Sequence, residues 1–236
     1  MLRDEEKIVL AGSIPSSYYD DSQFADDTQR VLEAAVAKMG GDAKKIVENA
    51  KKDSGSGKYR LQMLERIGDL PKDIVSALLN KRKQLNDQVL FEVAQITGKT
   101  VRVIKTDGGK AVGVRNLSNG KHDNYFLCSA VRLMYGNGPT DYAVTYSGET
   151  YPAELENGNI TIKTNDKAIL NELQIAHIKT YSSDKDERRA GFYELQNPKW
   201  IYPNTEIKIN IEMPQFSIPG AAWVKVMLIG TEIIDF

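Results

Sequence analysis

Hydrophobic positions follow a helical period in the first part of the chain. Residues 26–28 supply helix-capping side chains, an apolar stripe follows at intervals of three and four, and Gly40 ends it. A later segment of the same period opens with Pro71, a residue favoured in the first turn of a helix, and continues to about Ile96. We therefore predict a helical region over residues 1–98.

After Gly98 the hydrophobic period shortens to two, which is typical of β-strands with one buried face. Strand-like segments then alternate with turn residues to the C-terminus, about eight or nine of them. This spacing predicts an antiparallel β-sandwich, a single jelly roll, over residues 99–236, and hence an α+β chain of two domains. The predicted strands include 99–107, 111–117, 125–136 and 142–148, followed by a hairpin centred on Asn157-Gly158.

The clearest alternation lies near the C-terminus, where isoleucine alternates with lysine and asparagine from Ile207 to Ile211. The final apolar segment repeats the pattern with valine and leucine. We expect one face of each strand to point into the core, with the side chains of Ile207, Ile209, Ile211, Val224, Val226 and Leu228.

Charge and composition are those of an ordinary globular protein. Among 236 residues, 31 Lys and Arg offset 32 Asp and Glu, so the whole chain has no strong attraction for nucleic acid or anionic lipid. The local exception is Lys81, Arg82 and Lys83, predicted on a helix. The structural interpretation of this basic cluster is a helix face that is exposed to solvent. The functional alternative is contact with the phosphate groups of a genome or of membrane lipids.

The cysteine count and the hydropathy of the chain indicate the cellular compartment in which it is made. With Cys128 as its single cysteine, the chain forms no internal disulfide, and a small buried hydrophobe is the expected role. The opening residues lack a secretory signal, and no apolar stretch reaches the roughly 18 residues that a spanning helix needs. We expect a protein that is made in a cytoplasm and leaves it, if at all, without a signal peptide.

Sequence motifs of catalysis are missing. The segment 53–60 departs from a phosphate-binding loop at two required positions, and His122 and His177 lack the spacing of metal ligands. We therefore predict no enzymatic activity, no catalytic residue, no cofactor, no metal and no small-molecule substrate.

Aromatic residues beside prolines are candidates for an interface. Trp200, Tyr202 and Trp223 lie near proline-marked turns, where core filling and contact with a neighbouring protein are both plausible uses of a large ring. A sugar-binding platform formed by Trp200, Tyr202 or Tyr135 is a further alternative.

The C-terminal pattern resembles a known class of proteins. The run from Pro198 to Ile209 and a last strand containing Leu228 and Gly230 resemble the closing strands of jelly-roll capsid proteins of tailless icosahedral bacteriophages. The resemblance covers residues 151–234. It departs from the family in having room for one jelly roll where such proteins often carry two.

This resemblance implies a structural protein of a virion, made in the host cytoplasm. Its partners would be copies of itself and other virion proteins, with weak contact to a genome or internal membrane through the basic cluster. Residues 1–98 have no counterpart in the family, and we expect them to make subunit contacts. The role within a shell stays open between major, minor, vertex and spike-base protein.

A carbohydrate- or receptor-binding β-sandwich module on a helical stalk is the main alternative from another functional class. A hydrolase on a sandwich scaffold is a third, but it requires a pair of catalytic carboxylates that the sequence does not place.

Overall fold

The computed structural model describes residues 66–80, 82–165, 167–179, 190–218 and 220–236. The chain divides into two units, one formed by residues 87–232 and the other by residues 1–86 with 233–236. The predicted helices before residue 66 lie outside the described residues.

The described N-terminal part contains a 3-10 turn at Ile67–Asp69 and a helix α1 at Lys72–Leu79. The carbonyl of Pro71 accepts hydrogen bonds from the backbone of Ile74 and Val75, so the predicted helix start at Pro71 is confirmed. The predicted continuation to about Ile96 is wrong, because a strand occupies this segment.

That strand, β1, spans Lys83–Gln95. Its apolar residues include Leu85, Val89 and Val93, which repeat every four residues and imitate a helical stripe. The strand buries side chains on both of its faces, so the simple alternation of a half-buried strand is missing. The predicted boundary at residue 98 therefore falls after a strand of the sandwich.

After β1, the strands are β2 Thr100–Arg102, β3 Tyr125–Asn137, β4 Asn159–Thr164, β5 Lys167–Gln174, β6 Phe192–Ile201, β7 Ile207–Glu212 and β8 Ala222–Asp235. These eight strands of the described residues form two four-stranded sheets, with the orders β1-β8-β3-β6 and β2-β7-β4-β5. The pairs β2–β7, β3–β6, β4–β5 and β4–β7 are antiparallel.

Side chains from both sheets share one hydrophobic core, so the two sheets have a sandwich-like arrangement. Phe126 of β3 and Ile160 of β4 are both fully buried in it. The predicted inward positions of β7 and β8 are confirmed, since each of these side chains is at most 2% exposed: Ile207, Ile209, Ile211, Val224, Val226 and Leu228.

Three local predictions are wrong. Segments 111–117 and 142–148 form no strands and make isolated bridges only. Asn157-Gly158 is not the centre of a hairpin, because it joins a short helix α2, Ala153–Glu156, to β4. Glycine is required there by space: a β-carbon on Gly158 would lie 2.7 Å from the carbonyl oxygen of Glu212.

Candidate functional site

Strand β1 is an edge of its sheet, and the segment 111–117 lies along its outer side. The N–H of Val93 donates to the carbonyl of Val114 at 3.0 Å, and Glu92 forms an isolated antiparallel bridge with Arg115. An exposed strand edge offers unpaired N–H and C=O groups to any other strand. The 111–117 segment covers this edge without forming a strand.

Asn116 makes most of the contacts in this cover. Its side-chain oxygen accepts the N–H of Phe91 at 2.7 Å, and its side-chain nitrogen donates to the carbonyl of Val89 at 2.6 Å. Its backbone N–H donates to the carbonyl of Phe91 at 3.2 Å. The carboxamide of Asn116 therefore stands where the peptide group of a neighbouring strand would otherwise lie.

A buried carboxylate lies on the same strand. Glu92 is 2% exposed, accepts a hydrogen bond from the backbone N–H of Lys105 at 3.0 Å, and lies 3.8 Å from the guanidinium of Arg115. Burial raises the pKa of Glu92, while the Lys105 N–H and the Arg115 charge oppose that rise. Among the described residues, the second oxygen of Glu92 and the Nε of Arg115 have no hydrogen-bond partner.

Two further edge strands are irregular. In β6, residues 195–198 lie opposite the single residue Ser129 of β3, and this bulge contains Pro198. In β5, two register shifts accompany Glu172, whose φ of 49° is unusual for a residue other than glycine. The remaining edge strand, β2, has three residues. Bulges, proline and shortness each make an edge a poor template for strand addition.

A second polar cluster surrounds Glu232, which is 4% exposed. Its carboxylate lies 3.0 Å from the Nε2 of His122 and accepts hydrogen bonds from Gln88 at 3.2 Å and Asn124 at 3.4 Å. Burial lowers the pKa of His122, and the Glu232 carboxylate acts in the opposite direction. The cluster joins strands β1 and β8 to the connection that precedes β3.

The three predicted interface aromatics do not form one site. Trp200 is half-buried and pairs with Leu127 of β3, while Tyr202 is 38% exposed and meets Tyr125 edge-on. Trp223 donates its indole N–H to the carbonyl of Gly138, which lies just beyond the other end of β3. Tyr135 packs against the core and donates its hydroxyl to Asn137.

Arg82 and Lys83 of the basic cluster are not on a helix, contrary to the prediction. Lys81 lies outside the described residues, Arg82 is exposed, and Lys83 is the first residue of β1. The ammonium of Lys83 forms a salt bridge with the carboxylate of Asp235. Of the two described residues of the predicted cluster, Arg82 is therefore an exposed cation, and Lys83 is already paired with Asp235.

The single cysteine is buried as predicted. Cys128 is 0% exposed, and burial raises the pKa of its thiol to about 12. Because the thiolate is the reactive form, this side chain behaves as a small core residue at neutral pH.

Metal-binding side chains do not cluster in the described part of the chain: no group of three or more His, Cys, Asp or Glu is placed to hold an ion. Neither helix seen between residues 66 and 236 has the length and apolar character needed to cross a bilayer.

The sequence reasoning missed Asn116 and Glu92, because it assigned residues 83–95 to a helix and residues 111–117 to a strand. A polar residue at an inward position of an alternating strand is a recognised mark of a protected edge. That mark is readable at Glu92, between Leu90 and Ala94, only once the segment is known to be a strand.

Comparison with protein-family models, with curated proteins and with solved structures finds no significant match.

Proposed function

We propose that this chain is a single jelly roll and that it serves as a structural protein of a viral, bacteriophage-type capsid. The observation that carries the proposal is the nested order of the strands. The first strand is paired with the last, the second with the seventh, the third with the sixth and the fourth with the fifth. This is the order that results when one long antiparallel hairpin is rolled into a sandwich.

Eight-stranded jelly rolls are known from viral capsid proteins, lectins and cupins. Cupin-type metal chemistry has little support here, since the described residues bring no three metal-binding side chains together. The choice between shell protein and lectin then depends on the surfaces of the sandwich.

The outer faces of the two sheets differ in character. On β7 the outward residues are Lys208, Asn210 and Glu212, which are polar. On β8 the outward positions from 223 to 229 are half-buried and, apart from Lys225, apolar: Trp223, Lys225, Met227 and Ile229. A shell subunit has unlike sides, because each side meets a different neighbour or solvent, so this asymmetry favours an assembling protein.

The connections after β3, β5 and β7 lie at one end of the sandwich and offer a second contact region. The connection after β3 touches the one before β8, through the hydroxyl of Ser217 and the carboxylate of Glu154. It also touches the segment after β5, where the ammonium of Lys179 donates to Glu156 at 2.7 Å. Connections of this kind vary without disturbing a core, and shell neighbours would meet there.

The partners in this proposal are further copies of the chain and other virion proteins. Contact with a genome or an internal membrane would be weak and would use the predicted cluster Lys81, Arg82 and Lys83, of which Arg82 is seen exposed. At ordinary salt concentration, the attraction between such exposed charges is largely screened beyond about 8–10 Å. Localisation in the virion follows from the same proposal.

The test is assembly of the purified full-length chain, followed by light scattering and electron microscopy over a range of concentration and salt. We expect closed or symmetric particles, and we expect deletion of residues 1–57 to impair their formation while the sandwich stays folded. Neutralising residues 81–83 should weaken assembly less, and more visibly at low salt. A chain that assembles equally well without residues 1–57 would show that this segment has another task.

A carbohydrate-binding module remains the second candidate, favoured by one observation. Tyr125 and Tyr202 form a partly exposed edge-on aromatic pair at one end of β3. A glycan array with the purified protein, and with Tyr202→Ala as the variant, separates the candidates. Binding that is lost in this variant, from a protein that does not assemble, would favour the sugar-binding function.

A further inference from the structure

Five outward backbone groups of β1 between Val89 and Val93 have hydrogen-bond partners within the same chain. Successive outward residues of an edge strand present their N–H and C=O groups on the same side. The N–H of Val89 donates to the side chain of Gln88 at 2.9 Å, and the N–H of Val93 donates to Val114. The carbonyl of Val89 and both backbone groups of Phe91 bond to Asn116.

One residue therefore closes three of the five groups along this stretch, and a side chain supplies two of those three bonds. A carboxamide has the donor and acceptor of a peptide group but is fixed by rotatable side-chain torsions. A complete neighbouring strand would satisfy the same row of backbone groups with a continuous ladder of backbone hydrogen bonds. The Asn116 side chain is thus the part of the cover that one substitution removes, and its loss leaves the N–H of Phe91 and the carbonyl of Val89 without these partners.

The other edges of the sandwich are short or irregular, as β2, β5 and β6 are. In contrast, β1 extends over thirteen residues. Its stretch from Val89 to Val93 is the place where a regular antiparallel partner would fit. Strand β1 of a second copy of this chain is a suitable partner, because two copies of the same edge can pair in antiparallel orientation about a twofold axis.

We propose that Asn116 keeps the edge of β1 closed to strand pairing with a second copy of this chain. The surface it protects is the row of backbone groups from Val89 to Val93, and the occupant it excludes is β1 of another copy. The proposal does not rest on the shell function, since it concerns the state of the single chain before any assembly.

The first test is backbone hydrogen exchange in the full-length protein. Asn116→Ala leaves the N–H of Phe91 without its acceptor, so this amide should exchange at least tenfold faster at low protein concentration. Asn116→Asp retains the acceptor for Phe91 but loses the donor to the Val89 carbonyl, so it should protect Phe91 better than Asn116→Ala does and less well than the native protein. Asn137→Ala removes a hydrogen-bonded carboxamide away from β1 and should leave Phe91 unchanged.

The second test is self-association, measured by analytical ultracentrifugation together with circular dichroism. Asn116→Ala should keep its β-rich spectrum and cooperative unfolding, and its dimer dissociation constant should fall by about tenfold or more. Adding Phe91→Pro removes the exposed donor at a position where edge strands tolerate proline, and it should reverse the association. Unchanged exchange at Phe91, or association that Phe91→Pro does not reverse, would overturn the proposal.

Discussion

Gly230 of β8 approaches Leu127 of β3 so closely that a β-carbon on Gly230 would lie 1.9 Å from the Leu127 carbonyl oxygen. The two strands are neighbours in the sheet, and Leu127 itself is fully buried. Neither strand can move aside without breaking its own ladder. The glycine is thus required by packing between strands and not by a turn.

This contact makes Gly230→Ala a severe substitution. Overfilling a packed interior costs about 1–3 kcal/mol or more, and here the obstacle is backbone. We expect the urea midpoint of Gly230→Ala to fall clearly below that of the native protein. Gly98→Ala is the matched control, since a β-carbon there has no atom within 4 Å, and it should leave the midpoint nearly unchanged.

Ile209 provides a direct test of the alternating core strand. It is 2% exposed, so Ile209→Ala should lower the free energy of unfolding by about 2–5 kcal/mol. Ile209→Asp should prevent soluble expression, because an unpaired buried charge is far more costly. Asn210→Ala, on the opposite side of the same strand, should change stability by roughly 0.5 kcal/mol or less. Equal effects at the two positions would contradict a strand that buries only one face.

The placement of β1 predicts which fragment folds. Leu90 and Ala94 of this strand belong to the shared core, so a fragment beginning at residue 99 loses part of that core as well as the neighbour of β8. We expect the fragment 82–236 to be soluble and β-rich by circular dichroism, and 99–236 to be insoluble or unfolded. A stable 99–236 fragment would show that β1 is dispensable.

The His122–Glu232 cluster predicts a dependence of stability on pH. Burial holds the pKa of His122 below the unfolded value of about 6.5, against the opposing charge of Glu232. The unfolded chain then binds more protons in this window, so the contribution of His122 is complete above pH 6.5 and declines as the pH falls through the folded pKa. The charged groups around the ring are Glu232, Asp123 and Lys110.

Urea unfolding of the native protein and of His122→Gln at pH 7.5 and 5.5 measures this contribution. The loss of stability on acidification should be smaller in the variant. His177→Gln, at an exposed histidine, should behave as the native protein does. Glu92 has a raised pKa and contributes in the opposite direction, but it is present in all three proteins and cancels in the comparison. An equal loss in His122→Gln would exclude His122 as the source.

Sequence patterns were sufficient where one face of a strand meets the core. The isoleucines of β7 and the valines of β8 alternate with half-buried or exposed residues, and a period of two is the direct result. The strand β3 was also recognisable, because a long apolar run bounded by polar loops leaves few alternatives.

Sequence patterns predicted the wrong element where contacts with distant residues, and not local secondary-structure preference, determine the structure. Val89, Leu90 and Val93 satisfy a helical spacing and a two-faced strand equally well, and only the neighbouring β8 decides between them. The segment around Asn116 has strand-like composition but serves as a side-chain cover for an edge. Its role depends on a partner 25 positions earlier in the chain, at Phe91, which no local pattern reveals.

Cryo-electron microscopy of particles purified from cells that produce this protein tests the central proposal most directly. We expect the eight-stranded sandwich to recur in the shell density with the symmetry of the particle, with its connections and one sheet face against neighbouring subunits. A chain that is absent from every particle fraction, and that is recovered as a non-assembling protein, would contradict a capsid function.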